Sequence, residues 1–110
     1  RAIHDKRIRQ ALSLIHDSPG KDWTLEDLGN QVGMSKATLV RHFQDALGMA
    51  PIAYLNHWRR LKAYNAIRYT NDSMDKIALS FGFTSGRTLS RALVRELGMT
   101  PAEIRQKRKD

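Results

Sequence analysis

The chain says nearly the same thing twice: ALGMAP closes at Pro51 and ELGMTP closes at Pro101. Extended in both directions, the match holds. Leu39, Arg41, Leu47, Gly48, Met49 and Pro51 return fifty residues later as Leu89, Arg91, Leu97, Gly98, Met99 and Pro101, with Phe43 answered by Leu93. Upstream the offset falls to forty-nine, where Leu25, Leu28, Gly29, Val32 and Gly33 are answered by Met74, Ile77, Ala78, Phe81 and Gly82. The second copy therefore carries one extra residue after its glycine. Two copies of one supersecondary unit are the simplest account of such a chain.

Periodicity and capping residues read as helix throughout. Ile8, Leu12 and Ile15 mark one face of a first helix from about Asp5 to His16, ended by the Pro19-Gly20 turn. Thr24 caps a short second helix that turns Leu25, Leu28 and Val32 inward, and Gly33 supplies the positive φ that ends it. Ser35 caps a third helix running to Leu47, with Leu39, Phe43 and Leu47 as its buried stripe. Helix, glycine turn and helix make a helix-turn-helix. Lys36, Ala37, Val40, Arg41 and Gln44 then project outward.

In the second copy Ser73 caps a fifth helix carrying Met74, Ile77 and Phe81, and Gly82 makes the turn. A sixth helix buries Leu89, Leu93 and Leu97 and turns Gly86, Arg87, Ser90, Arg91 and Val94 outward. Between the copies Pro51 to Tyr69 contains no breaker after its first proline, so one linker helix is expected, spanning roughly 28 Å. That length suits two modules about one DNA turn, ~34 Å, apart. Thr100-Pro101-Ala102-Glu103 combines a capping box with a proline at the first helical position, opening a seventh helix that runs into a basic tail. The expected fold is all-α: seven helices, with two helix-turn-helix modules on a long linker helix. Residues 1–50 hold the first helix and first module, 51–69 the linker, and 70–110 the second module and tail.

The net charge of +8 follows the repeat. Residues 1–32 carry five basic and five acidic groups, 33–69 six basic against one acidic, 70–81 one basic against two acidic, and 82–110 seven basic against three. Two basic blocks in step with two modules point to an extended polyanion as partner. Cysteine is absent, which excludes disulfides and thiolate metal sites and makes a reducing cytoplasm the default compartment. No apolar run approaches a membrane span. The first residue is Arg rather than Met, so the chain is expected to be a fragment of something longer.

At Gly33-Met34-Ser35-Lys36, Arg41-His42-Phe43, Gly48, Pro51, Tyr54-Leu55 and Trp58-Arg59 the chain resembles the AraC/XylS class of bacterial transcription regulators. The second copy carries the resemblance through Ile77-Ala78, Gly82-Phe83, Ser90-Arg91, Gly98, Thr100-Pro101 and Arg105, within the stretch GFTSGRTLSRALVRELGMTP. The resemblance covers nearly the whole chain. It implies a DNA-binding domain whose two second helices enter the major groove. It also implies the carboxy-terminal part of a regulator whose other domain binds an effector or dimerises, and the opening stretch resembles what precedes this domain in members with a cupin-like effector domain. RNA polymerase is a further implied partner. Some positions depart from the family pattern. Gly29 replaces a typical Ala, at a helix-propensity cost of about 1 kcal/mol. Leu89, Leu93 and Ile104 stand at commonly aromatic positions, and Arg60 replaces an apolar residue and is expected at the surface.

Arginine pairs with guanine O6 and N7 through two parallel bonds, so Arg41 and Arg91, at equivalent positions, are the first candidates for reading bases. Pairing with a neighbouring acid or a phosphate is the competing reading for each. Arg87 is a second candidate in the later module. Lys36, Ala37, Thr38 and Val40 are expected near bases, Ala37 and Val40 suiting a thymine methyl. Gly86 and Ser90 belong to the same base-facing set. Ser35, Ser85, Thr88, Arg59, Lys107 and Arg108 are candidates for backbone phosphates, which fix register without reading sequence. For Lys107 and Arg108 a free solvated end is the stronger alternative. Trp23 and Trp58 lie in apolar helical patterns and read as scaffold, while His4, His16, His42 and His57 have no metal-ligand spacing and read as surface or structural. Neither a metal nor a cofactor is expected.

Catalysis is the weakest class, since the chain has no nucleophile elbow, phosphate-cradling glycine loop or facing pair of carboxylates. A basic helical adaptor that docks on RNA polymerase or another acidic protein remains as the alternative to a duplex reader. Single-strand binding is less favoured without exposed aromatic platforms. The isolated chain is expected to act as a monomer.

Overall fold

The computed structural model describes residues 4–109 and is helical. The helices are α1 (Lys6–Asp17), α2 (Leu25–Val32), α3 (Lys36–Leu47), α4 (Pro51–Tyr69), α5 (Met74–Ser80), α6 (Gly86–Leu97) and α7 (Pro101–Gln106), followed by a short 3-10 turn, Lys107–Lys109. Two compact units divide the chain, the first ending at His57 and the second beginning at Trp58.

The expected caps form. Thr24, Ser35 and Ser73 each accept from the backbone N–H three residues on, and Ser85, expected only as a phosphate contact, does the same for α6. Thr100 does so within a complete capping box with Glu103, whose carboxyl is held below its ordinary range by the Thr100 backbone N–H that it accepts from. The repeat is thus repeated geometry. Ser35 Oγ accepts from Thr38 N at 3.2 Å and Ser85 Oγ from Thr88 N at 3.1 Å. Both second helices end on a left-handed glycine, Gly48 at φ 73° and Gly98 at φ 67°.

In the first unit Ile8, Ala11 and Ile15 of α1, Leu28 and Val32 of α2, Leu39 and Phe43 of α3, and Leu55 of α4 are buried. In the second, Ala63, Ile67, Ile77, Ala78, Leu89, Leu93 and Ile104 form one cluster, with Phe81, Phe83 and Met99 packed against it. One expectation fails at the end of each stripe. Leu47 is only partly buried and Leu97 is 45% exposed. A spacing of four overshoots the helical turn, so two steps rotate a side chain about 80° off the first position. In α6 the core is completed by Ala92, three residues after Leu89.

Gly29 has a stronger reason than the sequence offered. A Cβ there would lie 2.5 Å from the Met34 carbonyl oxygen, because the first turn is one residue shorter and folds the chain back onto α2. The equivalent hydrogen bonds survive in both copies, Met34 N to Gly29 O at 2.9 Å and Phe83 N to Ala78 O at 2.8 Å. With its extra residue the second turn leaves room for the methyl of Ala78, which is fully buried.

Asp5 joins elements that periodicity cannot connect. Its Oδ1 accepts from Arg7 N and Ile8 N at the start of α1, and its Oδ2 meets His42 Nδ1 on α3 at 2.8 Å. The His42 hydrogen bond, with the two cap N–H groups, holds the Asp5 carboxyl below its ordinary range. A depressed carboxyl stabilises the fold above its unfolded value, ~3.9, and the contribution is lost as pH falls through the lower folded value. Thermal unfolding of Asp5→Asn should therefore show a lower Tm than the parent at neutral pH. The difference should shrink as pH drops below the ordinary aspartate range, and a pH-independent gap would contradict the pairing.

Candidate nucleic-acid interface

In the first module α3 turns Lys36, Ala37 and Arg41 to solvent, while Thr38 and Val40 are half-buried at the edge of that face and Ser35 is exposed at the cap. In the second, α6 exposes Arg87, Thr88 and Arg91, with Ser85 and Ser90 half-buried. Among the described residues none of Arg41, Arg87 and Arg91 lies in an ion pair. Arg95, one turn on, does pair with Glu96, at 3.1 Å. The serine and threonine hydroxyls at the two helix starts are partly occupied: Ser35 Oγ bonds Thr38 Oγ1 at 2.9 Å, and Thr88 Oγ1 meets Thr84 Oγ1 at 3.0 Å and Ser85 Oγ at 3.1 Å.

Gly86 does not face outward as expected. It is buried, and its N–H donates to Asp75 Oδ1 at 2.8 Å, tying the start of α6 to α5. A Cβ at Gly86 would meet that oxygen at 2.8 Å and the Met74 Cβ at 2.9 Å, so the close approach of the two helices needs glycine. The helical period placed the position near the outer face. Lacking a side chain, glycine has nothing to present there.

Arg108 is likewise not a free tail. Although exposed, its guanidinium donates to Thr70 O at 2.9 Å, Asn71 Oδ1 at 3.1 Å and Ile67 O at 3.4 Å. Arg105 adds donations to Ile67 O and Asp72 O. Together they satisfy carbonyls left open at the end of α4, where cations are also favoured by the helix dipole. Lys107 is exposed. Arg59 is half-buried, its guanidinium within 3.0 Å of the space that a Cβ at Gly82 would fill.

Trp23 is buried and donates to Ser18 O at 2.9 Å, and Trp58 is half-buried. His16 meets Tyr54 Oη at 2.6 Å. No described helix is long and apolar enough to cross a membrane. The Asp75 and Arg108 contacts were not found in the sequence, because each spans eleven or more residues between separate elements, which local periodicity does not connect.

The profile of the helix-turn-helix domain family matches residues 28–107. An AraC-like transcription regulator of Streptomyces lividans is 35% identical over 104 residues, 94% of this chain and 34% of that protein. The chain belongs to the AraC family of helix-turn-helix domains. Two solved structures share the fold, the first of them of an AraC-type DNA-binding domain-containing protein. A transcriptional regulator of Chromobacterium violaceum superposes with a TM-score of 0.84 at 29% identity, covering 93% of this chain and 91% of that one. The DNA-binding domain of AdpA, a global transcriptional factor solved in complex with a target DNA, gives 0.83 at 27% identity, covering 92% and 91%. The AraC-type chain spans about a third of the length of the curated relatives it matches.

Proposed function

We propose that this AraC-type domain reads duplex DNA sequence-specifically, as part of a longer bacterial transcription activator responsive to an effector. On this reading α3 and α6 enter consecutive major grooves on one side of the duplex. The observation that carries it is the matched pair of recognition helices: twelve residues each, identically capped, with Arg41 and Arg91 exposed at equivalent positions. Exposed arginines with no ion pair among the described residues keep their forked donors for guanine. Lys36, Ala37, Thr38, Val40, Arg87 and Ser90 complete the base-facing set, and Ser35, Ser85, Thr88, Arg59 and Lys107 serve the phosphates. The function lies in binding rather than catalysis, in the cytoplasm, with RNA polymerase as the second partner of the activator.

A monomer spanning two grooves protects roughly 20 base pairs. Arg41→Ala and Arg91→Ala should each lose about 1–3 kcal/mol on the preferred site and relax specificity at separate positions, while Lys107→Ala weakens all sequences alike. Titration of each variant against preferred and random duplexes checks this. Equal losses on both duplexes would reassign the arginines to the backbone, and affinity for duplex DNA that ignores salt would favour the protein-docking adaptor instead.

A further inference from the structure

Among the arginines on the outward side of α6 stands an exposed apolar side chain, Val94, next to Arg95 and one turn from Arg91. Val94 is 49% exposed and stands one helical turn beyond Ser90 and Arg91. With the start of α7 it forms an open notch of about 360 Å3, lined by Ser90, Arg91, Val94, Arg95, Thr100 and Pro101, whose walls are almost wholly carbon. The core does not account for it, since Leu89, Ala92 and Leu93 carry the buried side of this helix. The repeat does not require it either. Gln44 and Asp45 stand at the positions matching Val94 and Arg95, one polar and one acidic.

We propose that this notch receives the 5-methyl group of a thymine, which makes Val94 a specificity-determining residue of the second module; the proposal rests on the DNA-binding reading above. Of the two arginines lining it, Arg91 lies in no ion pair among the described residues and favours an anionic partner, while Arg95 is paired with Glu96. Among the base-edge groups that duplex DNA shows in its major groove, the apolar one is the thymine methyl. An apolar notch beside Arg91 on a groove-facing helix therefore has one matching feature among those base edges. The helical rise sets Val94 about 4.5–6 Å along the axis from Arg91 and Ser90. With base pairs about 3.4 Å apart, the thymine lies one or two pairs from the base those residues meet. The first module, with Gln44 and Asp45, reads no methyl at the corresponding place.

The test begins with a duplex selected by the 110-residue chain from a random pool. Each thymine is then replaced singly by deoxyuridine, which differs only in lacking the methyl. One uridine in the box bound by the second module should lower affinity about fourfold, the worth of one buried methyl. Val94→Ala and Val94→Gln, with circular dichroism unchanged, should bind the thymine duplex more weakly and no longer distinguish uridine from thymine at that position. If no uridine in that box matters, or if both variants keep full sensitivity to it, the proposal is overturned while duplex reading stands. If selection yields no duplex preferred over random DNA, the DNA-binding reading itself fails and takes this one with it.

Discussion

Inserting about five base pairs, half a helical turn, between the two boxes of the preferred site is expected to weaken binding at least about 100-fold, towards the non-specific level. The segment between the modules is a single helix, α4, without glycine and without proline beyond Pro51. On the proposed reading, a linker that is one continuous helix gives little freedom to follow such a shift. Inverting one box should cost as much, because the two modules belong to one chain and present different outward side chains. These are Lys36, Ala37, Val40 and Arg41 in one and Arg87, Ser90 and Arg91 in the other. The preferred site is thus expected to be two unlike boxes in fixed order. Electrophoretic titration of spaced and inverted duplexes measures the effect. Affinity within about threefold of the parent site, or an inverted repeat emerging as the best site, would contradict it.

The second large effect concerns the shorter turn. Gly29→Ala is expected to destabilise the first module by about 3 kcal/mol, since the new methyl would sit 2.5 Å from a backbone oxygen that cannot move without breaking the turn. Ala78→Gly, the reverse change in the second module, should cost only about 1 kcal/mol of helix propensity plus a small loss of packing. Adding one residue after Gly33, so that the first turn matches the second, should recover much of the Gly29→Ala loss. Denaturant unfolding compares the variants. A neutral or stabilising Gly29→Ala, as propensity alone would dictate, would show that the turn relaxes freely.

Those two glycines mark where the sequence was legible and where it was not. Caps and periods are local, and they disclosed Thr24, Ser35, Ser73 and Thr100 and with them four of the helix starts, while the cap at Ser85 came from the structure. The repeat disclosed the modules and their outward faces. What escaped was set by approach between elements. Gly29 looked like a weak helix residue because its constraint comes from a carbonyl in the next turn, and Gly86 looked like a surface residue because its constraint comes from Asp75, on another helix. Arg108 looked like a solvated end because the carbonyls it binds belong to α4, thirty-eight and more residues earlier. Leu97 was placed inward by a spacing that drifts away from the core over two turns.

The matched capping of α3 and α6 has an evolutionary reading. Each twelve-residue helix is started by a serine hydroxyl on a threonine N–H and stopped by a left-handed glycine, and neither device uses the outward arginines, Arg41 and Arg91. In such a repeated unit the core positions and the closing glycine that hold each helix together are separate from the outward lysine, alanine and arginines, and the capping serines and threonines alone belong to both sets. Either face can therefore accumulate substitutions without loosening its own helix or altering the other copy. A lineage carrying this chain can change what it recognises one half at a time, retaining a partial grip on the old target through every intermediate.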